Sequence, residues 1–342
     1  METHTLSNSH GMRVRLLEHG CTVVSVEFPD RNGIFADVAL GFADPEQYKT
    51  RHPYFGCVVG RFGNRIANGR FALDDQSFEL AQNNAPGGVL CHLHGGIVGF
   101  DQHLWNVAPR TGTNAPSIRF QRVSPDGEEG YPGNLSVAVC YTLTEFNALE
   151  IEYEAFTDAP TLVNLTNHSY FNLRGEGSPG DICGHELRLH ASHFLPTTAG
   201  QIPTGEIRSV SNTPFDFLTP RCIGERIDSD DEQIQHGGGY DHNWVLDQRS
   251  ATEPTLAAEV YEPESGRFME VFTTEPGLQL YTGNVLDGSC IGKRGAAYGR
   301  RTGLCLETQH FPDAPNQTGF PSTVLRPGER YWSKTIYQFG VR

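Results

Sequence analysis

The chain has 342 residues, enough to bury about three quarters of the surface its unfolded form would expose, so no disulfide or structural metal is needed to hold a core. Its 26 Lys and Arg stand against 41 Asp and Glu, a net charge of −15, which speaks against the basic stripe of a nucleic-acid partner. No run of about 18 apolar residues offers a membrane span, and Met1 to His10 lacks the basic and apolar regions of a secretion signal.

The 38 glycines and 21 prolines fall as punctuation between short apolar-polar alternations, the writing of a turn-rich β protein. Strands are expected over Cys21–Phe28, Ile34–Leu40 and Ser117–Val123. The clearest pair is Leu135–Leu143 with Leu149–Ala155: in the second, every other residue is a carboxylate, so one face is wet and one buried, and the short Thr144–Ala148 link has hairpin spacing. Glu186–His190, Arg267–Thr273 and Tyr331–Phe339 continue the series, while helix signals are confined to Pro45–Lys49 and Arg221–Ile227. The predicted fold class is all-β, a large antiparallel β-sandwich. No linker, charge block or repeat divides it, and Gly237-Gly238-Gly239 is only a loop signal, so one domain over 1–342 is expected. Eight cysteines, at 21, 57, 91, 140, 183, 222, 290 and 305, are scattered singly with no Cys-x-x-Cys pair, which reads as buried thiols in a reducing cytoplasm.

Four segments carry polar residues that packing does not require. In Gly60–Gly69, glycines permit tight turns while Asn64 and Arg65 offer planar donors, or else a surface salt bridge. Cys91-His92-Leu93-His94-Gly95-Gly96 would point His92 and His94 the same way on a strand, as metal ligands point, but no third ligand at suitable spacing is evident; no metal is expected, and His94 reads as a donor beside a Gly-Gly turn. Thr161–Leu173 ends a β-like run in Asn164, Asn167, His168, Tyr170 and Asn172, a composition that suits a sugar: rings for C–H faces, amides and imidazole for hydroxyls. In Gly303–Asp313, strand alternation puts Leu304 and Leu306 on one side and Cys305, Glu307 and Gln309 on the other. Pro276–Asn284 repeats the pattern, with Gln279 and Tyr281 opposite Leu278 and Leu280.

These segments, with Tyr240-Asp241-His242-Asn243 and Phe320-Pro321-Ser322-Thr323, appear in the order found in the aldose 1-epimerase family, and the chain resembles that family over nearly its whole length. The resemblance implies a β-supersandwich fold, Glu307 as base, His168 as acid, and a sugar-binding set of Asn64, Arg65, His94, Asp241 and Gln279. Two local departures are Phe62-Gly63, where an aromatic-Ala pair is more usual, and a longer approach to His94 over Ala85–His92.

Opening an aldose ring requires that the anomeric hydroxyl lose a proton as the ring oxygen gains one. Glu307 as carboxylate and His168 as imidazolium would serve, with the other polar groups holding the remaining hydroxyls. Nothing is oxidised or reduced in this reaction, so the resemblance implies no cofactor. It implies a free monosaccharide such as galactose or glucose as partner; the scattered thiols and the lack of an apolar span lead us to expect a cytoplasmic protein without membrane contact, and a monomer or weak homodimer is expected. Two rival readings of the same residues are a carbohydrate-binding module without catalysis and a glycoside hydrolase using Asp241 and Glu307.

Overall fold

Side chains alternate across a β-strand with a period of two, so each strand offers one face to a core and the other to solvent or to a site. The computed structural model describes residues 1–108 and 115–342. A nine-stranded antiparallel sheet runs in the spatial order Asn106–Ala108, Ser117–Ser124, Leu135–Leu143, Ala148–Thr157, Tyr331–Val341, Arg267–Thr273, Thr255–Tyr261, Glu186–Leu189 and Arg221–Cys222. A six-stranded antiparallel sheet orders Tyr170–Phe171, Leu304–Gln309, Gly277–Tyr281, Asp241–Val245, His193–Leu195 and Arg208–Ser209. The N-terminal strands Thr3–Ser7, Arg13–Leu17, Thr22–Pro29 and Phe35–Asp37 make a third sheet.

The expected hairpin pairs Leu135 with Thr157 through Leu143 with Leu149. Leu149, Ile151, Tyr153 and Ala155 are buried while the glutamates between them are half-exposed. One apolar cluster joins the layers: Val139, Tyr141, Ile151 and Tyr337 of the nine-stranded sheet, Leu278, Leu280, Leu304 and Leu306 of the six-stranded sheet, and Val14 and Val23 of the N-terminal sheet. The structure is therefore the layered all-β arrangement that the alternation anticipates.

The strands Gly277–Tyr281 and Leu304–Gln309 are buried at every position. Their leucines face the shared core, while Tyr281 and Glu307, on the other side of the sheet, line a cleft.

The helix signals fare differently. Pro45–Lys49 is a 3₁₀ turn whose Asp44 cap accepts from the Glu46 N–H. Arg221–Ile227 is not a helix: Arg221–Cys222 pairs with Glu186–Leu187 as a sheet edge, and only Ile223–Glu225 turns in 3₁₀ form. The α-helix among the described residues is Glu232–Gly237, capped by Asp231 and stopped at Gly238 with φ +63°. Ladder pairing outweighs a weak local preference in the first case; in the second, Gly237–Gly239, read from the sequence as a loop, supplies the helix stop. All eight cysteines are free, and no helix of the described residues is long and apolar enough to cross a membrane.

Candidate active site

The cleft has a volume of about 650 Å³, and Asn64, Arg65, His94, His168, Asp241 and Glu307 all line it. Glu307 sits on the strand Leu304–Gln309, in register with Gln279 on the neighbouring strand. The next strand brings in Asp241, which pairs with Tyr281. His168 follows the strand Thr166–Asn167 and is fixed by its backbone: its N–H donates to Cys57 O, and its carbonyl accepts from the Gly56 N–H. Three adjacent strands and one loop thus converge on one floor.

Arg65 and His94 come from a smaller strand pair, Arg65–Ala67 with Cys91–Leu93. Asn64, at φ +62°, caps the turn into that pair by accepting the Arg65 N–H on its Oδ1 at 2.9 Å. His94 leaves the strand at φ +50°, so His92 and His94 do not point the same way as the sequence suggested. His92 turns inward to Ala81 O and the Tyr131 hydroxyl, each at 2.8 Å. His94 faces the cleft. The glycine after it is obligatory: a Cβ on Gly95, at φ +84°, would lie 1.8 Å from Gly60 O.

The asparagines of Thr161–Leu173 are also a correction. Asn164 donates to Gly63 O and His310 O, Asn167 to Gly56 O, and Asn172 to Thr302 O. These amides fasten backbone segments behind the site, and only His168 and Tyr170 of that stretch reach the cleft. Gln279 lies one layer back as well. Its Nε2 donates to Asp241 Oδ1 at 2.6 Å, while its Oε1 is buried with no protein partner.

The electrostatics follow from burial. His168 Nε2 lies 3.7 Å from Glu307 Oε1, with side chains 5% and 2% exposed, close enough to influence each other and too far for a direct hydrogen bond. Burial pushes the Glu307 carboxyl well above the usual carboxylate range; the Asp241 carboxylate pushes it further and Arg65 pulls it back. Burial lowers His168 to about 4. In water a proton prefers imidazole over carboxylate by about 3 kcal/mol; here burial erodes that preference from both sides. The ion pair and the neutral pair hold the same proton, and the standing carboxylate–imidazolium pair read from the sequence is opposed by desolvation. Burial also raises Asp241, against the pull of Arg65, whose Nη1 is 4.0 Å away, and of Gln279.

One atom each of His94, His168 and Glu307 can be chosen so that all lie within 4.8 Å of one another, the third partner that the sequence did not reveal. The donor set does not suit a metal. His94 Nδ1 accepts the Asn64 N–H at 3.1 Å, which leaves the proton of the neutral ring on Nε2, whereas a metal-bound imidazole gives its lone pair to the ion and donates from the other nitrogen. Burial and the neighbouring His168 hold His94 neutral, so it offers the cleft an N–H.

Tyr54 is the wall residue that sequence reasoning missed. Its ring lies 4.6 Å from that of His94 and 5.7 Å from that of His168, and its φ of +58° is rare for a bulky residue. It occupies no motif; only tertiary contact brings it to the site.

The family model described as aldose 1-epimerase matches residues 2–338. The chain belongs to the aldose 1-epimerase family. Among aldose 1-epimerase relatives, a galactose mutarotase of Sus scrofa is 48% identical over 333 residues, covering 97% of this chain and 92% of the relative. An aldose 1-epimerase of Escherichia coli K12 is 39% identical, with 98% and 94% covered. The solved structure of an aldose epimerase homologue from C. elegans superposes with a TM-score of 0.86 at 30% identity, covering 99% of each chain.

Proposed function

We propose that Glu307 and His168 carry the reaction of the aldose 1-epimerase family in this chain: interconversion of the α and β anomers of a free aldose. The observation that supports it best is the 3.7 Å gap between His168 Nε2 and Glu307 Oε1 on the floor of the cleft, which lets two proton-transfer groups address the two oxygens of one anomeric carbon. Glu307 takes the proton of O1. The O1–H electrons become the C=O bond, the C1–O5 pair leaves with the ring oxygen, and His168 delivers the Nε2 proton to it. The open chain turns about C1–C2. His168 then recovers the proton from O5, Glu307 returns its own to O1, and the ring closes on the other face.

After the opening step both groups are neutral, the state that burial favours, so desolvation stabilises the enzyme form that accompanies the open-chain intermediate. His94, Asn64 and Arg65 supply donors, and Asp241, held by Gln279, supplies an acceptor, which fixes the other hydroxyls while C1 turns. Because Asp241 is already bound by Gln279 and faces Arg65, its role here is to hold a hydroxyl rather than to pair with Glu307 as in a hydrolase. The relative named galactose mutarotase makes galactose the first sugar to assay, with glucose second. The eight free thiols support a reducing cytoplasm, and we take the working form to be a monomer or weak homodimer.

Glu307→Gln keeps the shape and removes the base. Polarimetry on freshly dissolved α-galactose should show mutarotation slowed by about 10² to 10⁴ relative to the unmodified protein, with binding of the sugar retained. Undiminished interconversion would remove Glu307 from the mechanism.

A further inference from the structure

We propose that Cys305 is the positioning residue of His168: its uncharged thiol sulfur receives the ring's Nδ1–H and so reserves Nε2 for the proton exchanged with the sugar. The inference rests on the assignment of His168 as the acid.

Cys305 and Glu307 stand at i and i+2 on one strand and so share its cleft-facing side. Together they meet both nitrogens of a single ring, Glu307 Oε1 at 3.7 Å from Nε2 and Cys305 Sγ at 3.4 Å from Nδ1. The ladder enforces this, because Tyr170 is in register with Cys305 and its ring stacks on His168 with centroids 5.0 Å apart. Cys305 is fully buried and does not line the cleft, so whatever it does passes through the imidazole.

The reaction requires this tautomer at every stage. The imidazolium carries both protons. Once Nε2 has given its proton to the ring oxygen, the neutral ring must keep Nδ1–H, since only then does Nε2 have the lone pair that recovers the proton on reclosure. The other tautomer has Nε2 occupied and cannot act. A buried Nδ1–H needs an acceptor, and sulfur, a weak one, is Nδ1's hydrogen-bonding partner among the described residues. A carboxylate there would also orient the ring, but it would stabilise the imidazolium and make the acid reluctant to give up its proton. The thiol stays neutral, held protonated by burial and by the Glu307 and Asp241 charges. The other titratable groups facing the ring are Tyr54 and His94 across the cleft and Tyr170 and Tyr281 beside it, with His52 acting on it electrostatically.

Nitrogen-15 NMR of the unmodified full-length protein, above the pH at which His168 titrates, should show Nδ1 protonated and Nε2 bare; the reverse pattern overturns the proposal. Cys305→Ala should lower kcat about tenfold, the low end of what outer partners of functional histidines contribute, with KM nearly unchanged, and Cys305→Ser, whose hydroxyl also accepts, should restore most of the loss. Cys305→Asp should move the His168 limb of the kcat pH profile upward by about one unit or more. A Cys305→Ala protein with the original kcat and pH profile also overturns it. His168→Asn separates the two ideas: if that variant keeps full activity the acid assignment itself fails, whereas an inactive His168→Asn beside an unaffected Cys305→Ala rejects the thiol's role alone.

Discussion

Asp241 has two consequences at once, and they are separable. In the proposed mechanism its carboxylate accepts a sugar hydroxyl, and its charge is among the forces that hold Glu307 above the usual carboxylate range. With Glu307 as the proposed base, its deprotonated form is the active one and activity should fall as pH drops through its pKa. Asp241→Asn removes a negative charge beside it, which lowers that pKa. The acid limb of kcat/KM should therefore move to lower pH, while KM rises about tenfold or more as a charge-assisted hydrogen bond is weakened. An acid limb that stays in place or moves up would show that the Asp241 charge is not felt at Glu307. At this scale the sequence was informative where motifs concentrate unusual residues: six of the seven site residues it singled out line the cleft and the seventh, Gln279, holds one of them. It was silent on Tyr54, and it misread Asn164, Asn167 and Asn172, because a polar side chain spent on buried backbone looks the same in one dimension as one spent on a ligand.

The strand is the unit that turns sequence into site. Leu304 and Leu306 anchor the core face, which frees Cys305 and Glu307 to meet His168, and Leu278 and Leu280 do the same for Gln279. A period of two is local, so these faces were legible before any fold was known. What was not legible is where a strand stops. His94 looked like a continuation of Cys91–Leu93, yet its positive φ and that of Gly95 send the chain back against Gly60. Gly95→Ala tests that turn: its Cβ would meet the Gly60 carbonyl at 1.8 Å, in a conformation that already costs an L-residue about 1 to 3 kcal/mol. Urea denaturation should show a loss of at least about 2 kcal/mol, with activity falling because His94 no longer reaches the cleft. A variant with unchanged stability and activity would mean that this turn relaxes freely.

Across the whole molecule, chain order and spatial order are interleaved. The C-terminal strand Tyr331–Val341 lies in the interior of the nine-stranded sheet, paired on one side with Ala148–Thr157 and on the other with Arg267–Thr273. The main apolar cluster runs from Leu6 to Phe339 and draws on all three large sheets. Because that one cluster draws on both ends of the chain, we expect 1–342 to unfold as one cooperative unit. Calorimetry should give a single transition whose van't Hoff enthalpy approaches the calorimetric one, about 0.7 kcal/mol per residue near 60 °C. The site should melt with it, because Glu307 is held by the same sheet that closes the core. Removing Tyr331–Arg342 should leave no folded remainder, since both neighbouring strands would lose a partner and the core would lose Tyr337 and Phe339. Two separable transitions, or a truncated chain that keeps its near-UV dichroism, would instead mean that the sheets fold independently and that the cleft is assembled from parts stable on their own.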